Sequence, residues 1–279
     1  ASVGGGIPII RPLLRCLSAD RIEDITGILN GTTNYILTRM QQEGSSFQGA
    51  LAEAQVNGYA ERNPSADVDG FDACRKIAIL TSLTSAKSVD FEDIPTEGIT
   101  KITPEDFAYA NRLGWSIKLL ARSCWIKDRV YAMVAPALVK PENALSGVND
   151  VFNAIQVHGN MVDNVMFVGR GAGAHATASA VVGDVVDCAA HLGRNVYRGW
   201  SSERQELSDI RDLKTARFIR VTGSGDRLAG IESIFGTVKL LEDVVAGEIG
   251  IVTQPISGWD FDACCARLTG MISWLRVRD

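Results

Sequence analysis

SIKLLARSCWIKDRVYAMVAPALV, residues 116–139, holds two apolar runs, 116–126 and 129–139, around a turn-like KDR. Two more runs follow, VFNAIQVHG (151–159) and DNVMFVG (163–169), after the polar clusters KPENALSGVND and GNMVD. Short apolar runs punctuated by turn residues read as neighbouring strands, mostly antiparallel. Upstream, IEDITGIL (22–29) reads as another strand. NGTTNYILTRMQQEG then reads as a turn and helix that Asn30 or Thr32 can cap, because either side-chain oxygen can take an unpaired backbone N–H. FQGALAEAQVNGY is a second helix with Gly58 in C-cap position, and a third helix runs to about Ala86. HATASAVVGDVVDCAAHLG (175–193) is a helix ended by Gly193, and ASVGGGIPIIRPLLRCL opens the chain as a glycine run with a helix-like continuation.

Working outward, residues 1–195 are expected to form an α+β unit: a mixed, mostly antiparallel sheet with helices packed on one face. The polar stretch 196–215 is expected to be a linker. Over 216–279 the order is strand, helix, two strands, helix, strand, the β-α-β-β-α-β pattern of a ferredoxin-like unit.

The totals exclude several classes. The chain has 279 residues, enough for two domains, with 46% apolar and 22% charged residues, as in ordinary globular proteins. A net charge of −5 gives no electrostatic reason to expect nucleic acid. No apolar run reaches the ~18 residues of a membrane span. The opening is not a signal peptide, and with no starting Met the chain reads as the downstream part of something longer. Six cysteines without a C-x-x-C pair read as buried free thiols of a reducing cytoplasm, and the three histidines show no metal-ligand spacing.

The chemistry concentrates in GYAERNPSADVDGFDACRKIAIL, residues 58–80. At about 100° per residue, Asp72 and Lys76 fall within about 40° of each other, with Leu83 between them and Ile79 and Leu80 alongside. Arg75 and Ser82 mark a different, polar face. A surface i,i+4 pair normally avoids the apolar stripe. This pair sits on it, which is either a structural pair at a helix start or a site that handles charge. Glu61, Asp67 and Asp69 read as a solvated acidic loop, as helix caps or as substrate groups.

GILNGTTNYIL, the 58–80 stretch and GRGAGAHATASAVVGDVVD, with ASVGGGIPII, together resemble homoserine dehydrogenase, in order, from residue 1 to about 193. That family interconverts L-homoserine and L-aspartate 4-semialdehyde with NAD(P). The resemblance implies Lys76 and Asp72 as catalytic residues. It implies Glu61, Asp72 and Asp67 as substrate-binding residues, Glu61 taking the α-ammonium. A carboxylate is the natural receptor for that group. The family carries a further lysine upstream of this chain, so Lys76 is either that lysine's partner or the proton donor. Asn63 departs from the pattern, which often shows Asp there.

Gly169, Gly171 and Ala174 have G-x-G-x-x-A spacing, without the acidic strand end of a complete dinucleotide unit. By resemblance, Gly58 and Gly173 approach the nicotinamide nucleotide. Carbonyls of Val3, Gly5 and Ile7 would hold a monovalent cation such as sodium, a hard ion that prefers oxygen. The tail resembles an ACT domain, a module that binds feedback amino acids such as threonine or simply dimerises, so a homodimer or larger homo-oligomer is expected. Because the family's nucleotide-binding half is not in these residues, the chain alone is expected to turn over little. The alternative is a non-catalytic amino-acid-binding regulatory or oligomerisation fragment.

Overall fold

The computed structural model describes residues 2–194 and 199–279. Strand β1 (Ile22–Ile28) comes first, followed by helices α1 (Gly31–Glu43), α2 (Phe47–Val56), α3 (Ser65–Val68), α4 (Phe71–Ser85) and α5 (Pro104–Leu113). Strands β2 (Ser116–Ile126), β3 (Arg129–Val139), β4 (Phe152–Gly159) and β5 (Asp163–Arg170) then precede helix α6 (Ala174–Ala190). The remainder holds β6 (Lys214–Thr215), β7 (Arg217–Thr222), α7 (Leu228–Phe235), β8 (Val238–Leu241), β9 (Glu248–Thr253), β10 (Ile256–Ser257), α8 (Gly258–Cys265) and β11 (Met271–Arg278). The expected strands at 116–126 and 129–139 match β2 and β3 to the residue.

One nine-stranded sheet carries nearly all of this, in the order β5-β4-β1-β2-β3-β11-β7-β9-β8. Its junction is the parallel pairing of β3 with β11, where Val277 lies opposite Leu138. The other pairings in that sheet are antiparallel. The last four strands, β11-β7-β9-β8, follow the β-α-β-β-α-β chain order of 217–278. The sheet is therefore continuous across the stretch where the sequence pattern changes.

Side-chain alternation decides which face is covered. Ile117, Leu119 and Ala121 of β2, with Val134 and Leu138 of β3, join the main core beneath α1, α4 and α5. Leu120, Ala137 and Val139 point the other way and pack with Leu145 and Val148 of the loop that follows β3. Helices α1, α4 and α5 thus share one face, whereas α6 buries no residue. Toward the C-terminus the arrangement reverses: Ile219, Val221 and Ile251 pack with Ile231 and Phe235 of α7 and Phe261 of α8. The opposite face there meets α5, whose Tyr109 ring lies 5.3 Å from Phe218.

Several expectations need correction. Helix α5 was not expected. Its start is a reciprocal cap in which the Thr103 side chain accepts the Asp106 N–H and Asp106 accepts the Thr103 N–H, with Pro104 in the first turn. Ser82 is not on a polar face but buried, donating to the Ala78 carbonyl and accepting the Val89 N–H. All six cysteines are free, but Cys16 and Cys188 are exposed. Residues 201–208 of the polar stretch form backbone hydrogen bonds to Ala86, Ser88 and Val130. Residues 196–198 of that stretch lie outside the described residues. Among the described residues no helix is long and apolar enough to cross a membrane.

Candidate active site

The chain leaves β1 through Leu29 and turns at Asn30, whose extended backbone and side chain cap α1: Oδ1 accepts the Thr33 N–H at 2.9 Å. The amide nitrogen of the same side chain donates to Asp67 Oδ1 at 2.7 Å and Asp72 Oδ2 at 2.9 Å. Asp72 stands in the first turn of α4, where the helix dipole favours a carboxylate. One turn on, Lys76 Nζ donates to Asp72 Oδ2 at 2.7 Å and to the Leu29 carbonyl at 2.9 Å. The Lys76 and Asp72 side chains are 20% and 33% exposed, so the ammonium is reachable but oriented.

Neither Asp67 nor Asp69 caps α4. That position belongs to Gly70, at φ 87°, where a side chain would be strained and a Cβ would come within 3.0 Å of Thr96 Cγ2. Asp67 is thereby free to join the site.

Two carboxylates and one ammonium share this corner, with Asn30 as the neutral bridge. Burial raises the Asp67 carboxyl above its ordinary value; the Asn30 hydrogen bond opposes this and the neighbouring Asp72 charge adds to it. Such a corner favours one more cation, because an ammonium would compensate a carboxylate that now ionises against a penalty.

Glu61 is exposed, and its carboxylate has no partner among the described residues; only its backbone carbonyl is engaged, by Gln55. The loop that carries it is tied to the same turn, since Thr32 donates to the Tyr59 carbonyl at 2.6 Å and the Tyr59 ring lies 4.9 Å from Tyr35. Asn63, the departure from the family pattern, accepts the Ser65 N–H at 3.3 Å, just before α3. Gly58 and Gly173 have φ of 73° and 116°, and space is open where a side chain would stand. Both present bare backbone to solvent.

The 3–7 loop rests on the 169–173 loop. Gly6 donates to the Arg170 carbonyl at 2.9 Å, and a Cβ on Gly5 would strike the Gly171 carbonyl. Val3 and Ile7 are buried, and the Ile7 carbonyl already accepts the Ile9 N–H. Among the described residues no cluster of His, Cys, Asp and Glu could hold a metal ion. Sequence reasoning treated Asn30 only as a cap and missed its amide nitrogen; the Leu29 carbonyl, a backbone group, carried no signal at all.

The family model for homoserine dehydrogenase matches residues 8–186. A homoserine dehydrogenase of Synechocystis sp. is 52% identical over 191 residues, covering 67% of this chain and 44% of that protein. The chain thus spans about half the length of the curated relatives it matches. The crystal structure of a homoserine dehydrogenase from Thiobacillus denitrificans superposes with a TM-score of 0.88 at 32% identity, covering 99% of this chain and 69% of that one. A hyperthermophilic archaeal homoserine dehydrogenase mutant in complex with NADPH has a TM-score of 0.59 at 30% identity, covering 70% of this chain and 56% of the other.

Proposed function

Because the chain belongs to the homoserine dehydrogenase family, we propose that it carries the substrate site of an enzyme interconverting L-homoserine and L-aspartate 4-semialdehyde. The observation that carries this reading is the Lys76 ammonium, held between Asp72 and the Leu29 carbonyl, beside a second carboxylate.

In the direction of reduction, the aldehyde oxygen gains negative charge. Lys76 stabilises that charge and delivers a proton to the oxygen. In oxidation the same amine receives the hydroxyl proton. Asp72 holds Lys76 in place through their 2.7 Å hydrogen bond. Glu61 and Asp67 receive the α-ammonium, and their charge selects an amino alcohol over a plain one.

A nicotinamide dinucleotide supplies or accepts the hydride when bound. The archaeal relative was solved with NADPH. The open, positive-φ backbones of Gly58 and Gly173 fit a ligand that must come close. In the 3–7 loop the Val3, Gly5 and Ile7 carbonyls would hold a monovalent cation such as sodium, a hard ion that prefers oxygen. The strand order of 217–278 supports an ACT-like unit that binds a feedback amino acid or pairs with a second copy.

The test is to join this chain to the nucleotide-binding half of a homoserine dehydrogenase relative, add L-homoserine and NAD(P)+, follow the nicotinamide absorbance, and repeat with Lys76→Ala. Reduction that the variant loses at least a hundredfold is expected. Equal rates in both proteins contradict the role of Lys76.

A further inference from the structure

Between β2, β3, the 210–215 strap, α8 and β11 lies a cavity of about 120 Å³. Liquid water occupies about 30 Å³ per molecule, so the space suits one small polyatomic ion. Arginines dominate its wall. Arg122, Arg211 and Arg276 line it, and each already holds a carboxylate: Asp24, Asp209 and Glu97.

Arg217 is different. The residue is 5% exposed, and no carboxylate pairs with it among the described residues. Its Nη1 donates only to the backbone carbonyls of Thr215 and Ala216, and its Nε has no partner. The Thr215 hydroxyl, on the same wall, is also buried without a partner. Phe261 and Trp274 flank the guanidinium at 5.3 and 5.5 Å. Burial, with Arg276 alongside, brings Arg217 down to about 10, so it remains charged at neutral pH.

Glu97 and Asp262 offset part of the Arg217 charge from a distance, but a buried guanidinium without a paired carboxylate is still costly, and so is a buried hydroxyl without a hydrogen bond. Both residues line the same cavity, so one occupant offers both a partner. We propose that this cavity binds a compact oxyanion, a carboxylate or a phosphate, through the Arg217 guanidinium and the Thr215 hydroxyl. The planar guanidinium fork matches two oxygens of such an ion. Asp262, also on the wall, repels a dianion and can receive the ammonium of an amino acid. The ion would pin the strap to the C-terminal unit and to β2 and β3, independently of the catalytic reading.

The test is calorimetric titration of the whole chain at constant ionic strength with sodium phosphate and, separately, sodium acetate, with chloride as the reference. Saturable binding of at least one oxyanion is expected, weakened about tenfold or more by Arg217→Met and more mildly by Thr215→Val. Tighter acetate identifies a carboxylate ligand, and tighter phosphate identifies a phosphoryl group. Should Arg217→Met fail to unfold cooperatively, Arg217→Lys replaces it: the charge stays, the fork goes, and affinity must still fall. No saturable binding of either ion, or affinity unchanged in the folded arginine variant, overturns the proposal.

Discussion

Asn30 and Asp72, at the start of two different helices, are joined by a 2.9 Å hydrogen bond from the Asn30 amide nitrogen while its oxygen caps α1. One side chain thus links helix capping to the charge of the site. The two tasks separate by substitution. Asn30→Ala should cost about 0.5–2 kcal/mol through the lost cap, whereas Asn30→Ser should keep most of the stability. Both should weaken homoserine binding, because both remove the donor to Asp67 and Asp72. Urea unfolding beside calorimetric titration checks this; undiminished binding in Asn30→Ser would show that the bridge is only structural.

Asp67 carries a pH signature. Its folded carboxyl is raised, chiefly by burial, so between the unfolded value near ~4 and the raised one the folded chain binds more protons. Its contribution to stability is therefore fullest below the unfolded value and declines as pH rises through the folded one. Asp67→Asn should flatten that part of the stability–pH curve and raise stability at neutral pH. Equilibrium unfolding from about pH 4 to pH 7 measures it.

Lys118 gives the mirror case. It is buried on β2, its ammonium donating to the Val148 carbonyl and to Asn149 and Asn34, and burial brings it down to about 8. The unfolded chain holds that proton up to about 10.4. Stability should thus increase as pH rises from about 8 towards 10, once the buried amine loses its charge. In Lys118→Met this rise should be absent.

Arg220 ties helix α5 to the C-terminal strands. Its side chain is 4% exposed and pairs with Asp106 at 2.9 Å and Glu248 at 2.8 Å, while Ser273 also donates to Asp106. Arg220→Met leaves Asp106 buried without a cation and should cost about 3–5 kcal/mol. Adding Asp106→Asn should recover part of this, since the amide oxygen can still accept the Thr103 N–H. Denaturant midpoints of the single and double variants decide.

What could be read from the sequence was local. Strands β2 and β3 follow from apolar runs around a turn, and the site's helix from the placement of Asp72 and Lys76 against Leu83. What could not be read depends on partners far along the chain. Lys118 is buried because loop residues 148 and 149 fold over it, and the half-buried Arg122 is paired because Asp24 lies on the neighbouring strand. Asn30 was read through its oxygen, which serves the next turn, while its nitrogen serves residues 67 and 72. Helix α5 went unread although Thr103-Pro104-Glu105-Asp106 is a helix start with a mechanism. The parallel seam of β3 with β11 joins segments whose patterns differ, and no local signal announces it.

The most direct measurement is calorimetric titration of the intact chain with L-homoserine, with NADPH present, for the native protein and for Glu61→Gln and Asp72→Asn. Saturable binding by the native chain, lost or weakened at least tenfold in each variant while both stay folded, is the expected result. Homoserine that binds all three proteins equally, or binds none of them, contradicts a substrate site built on these carboxylates.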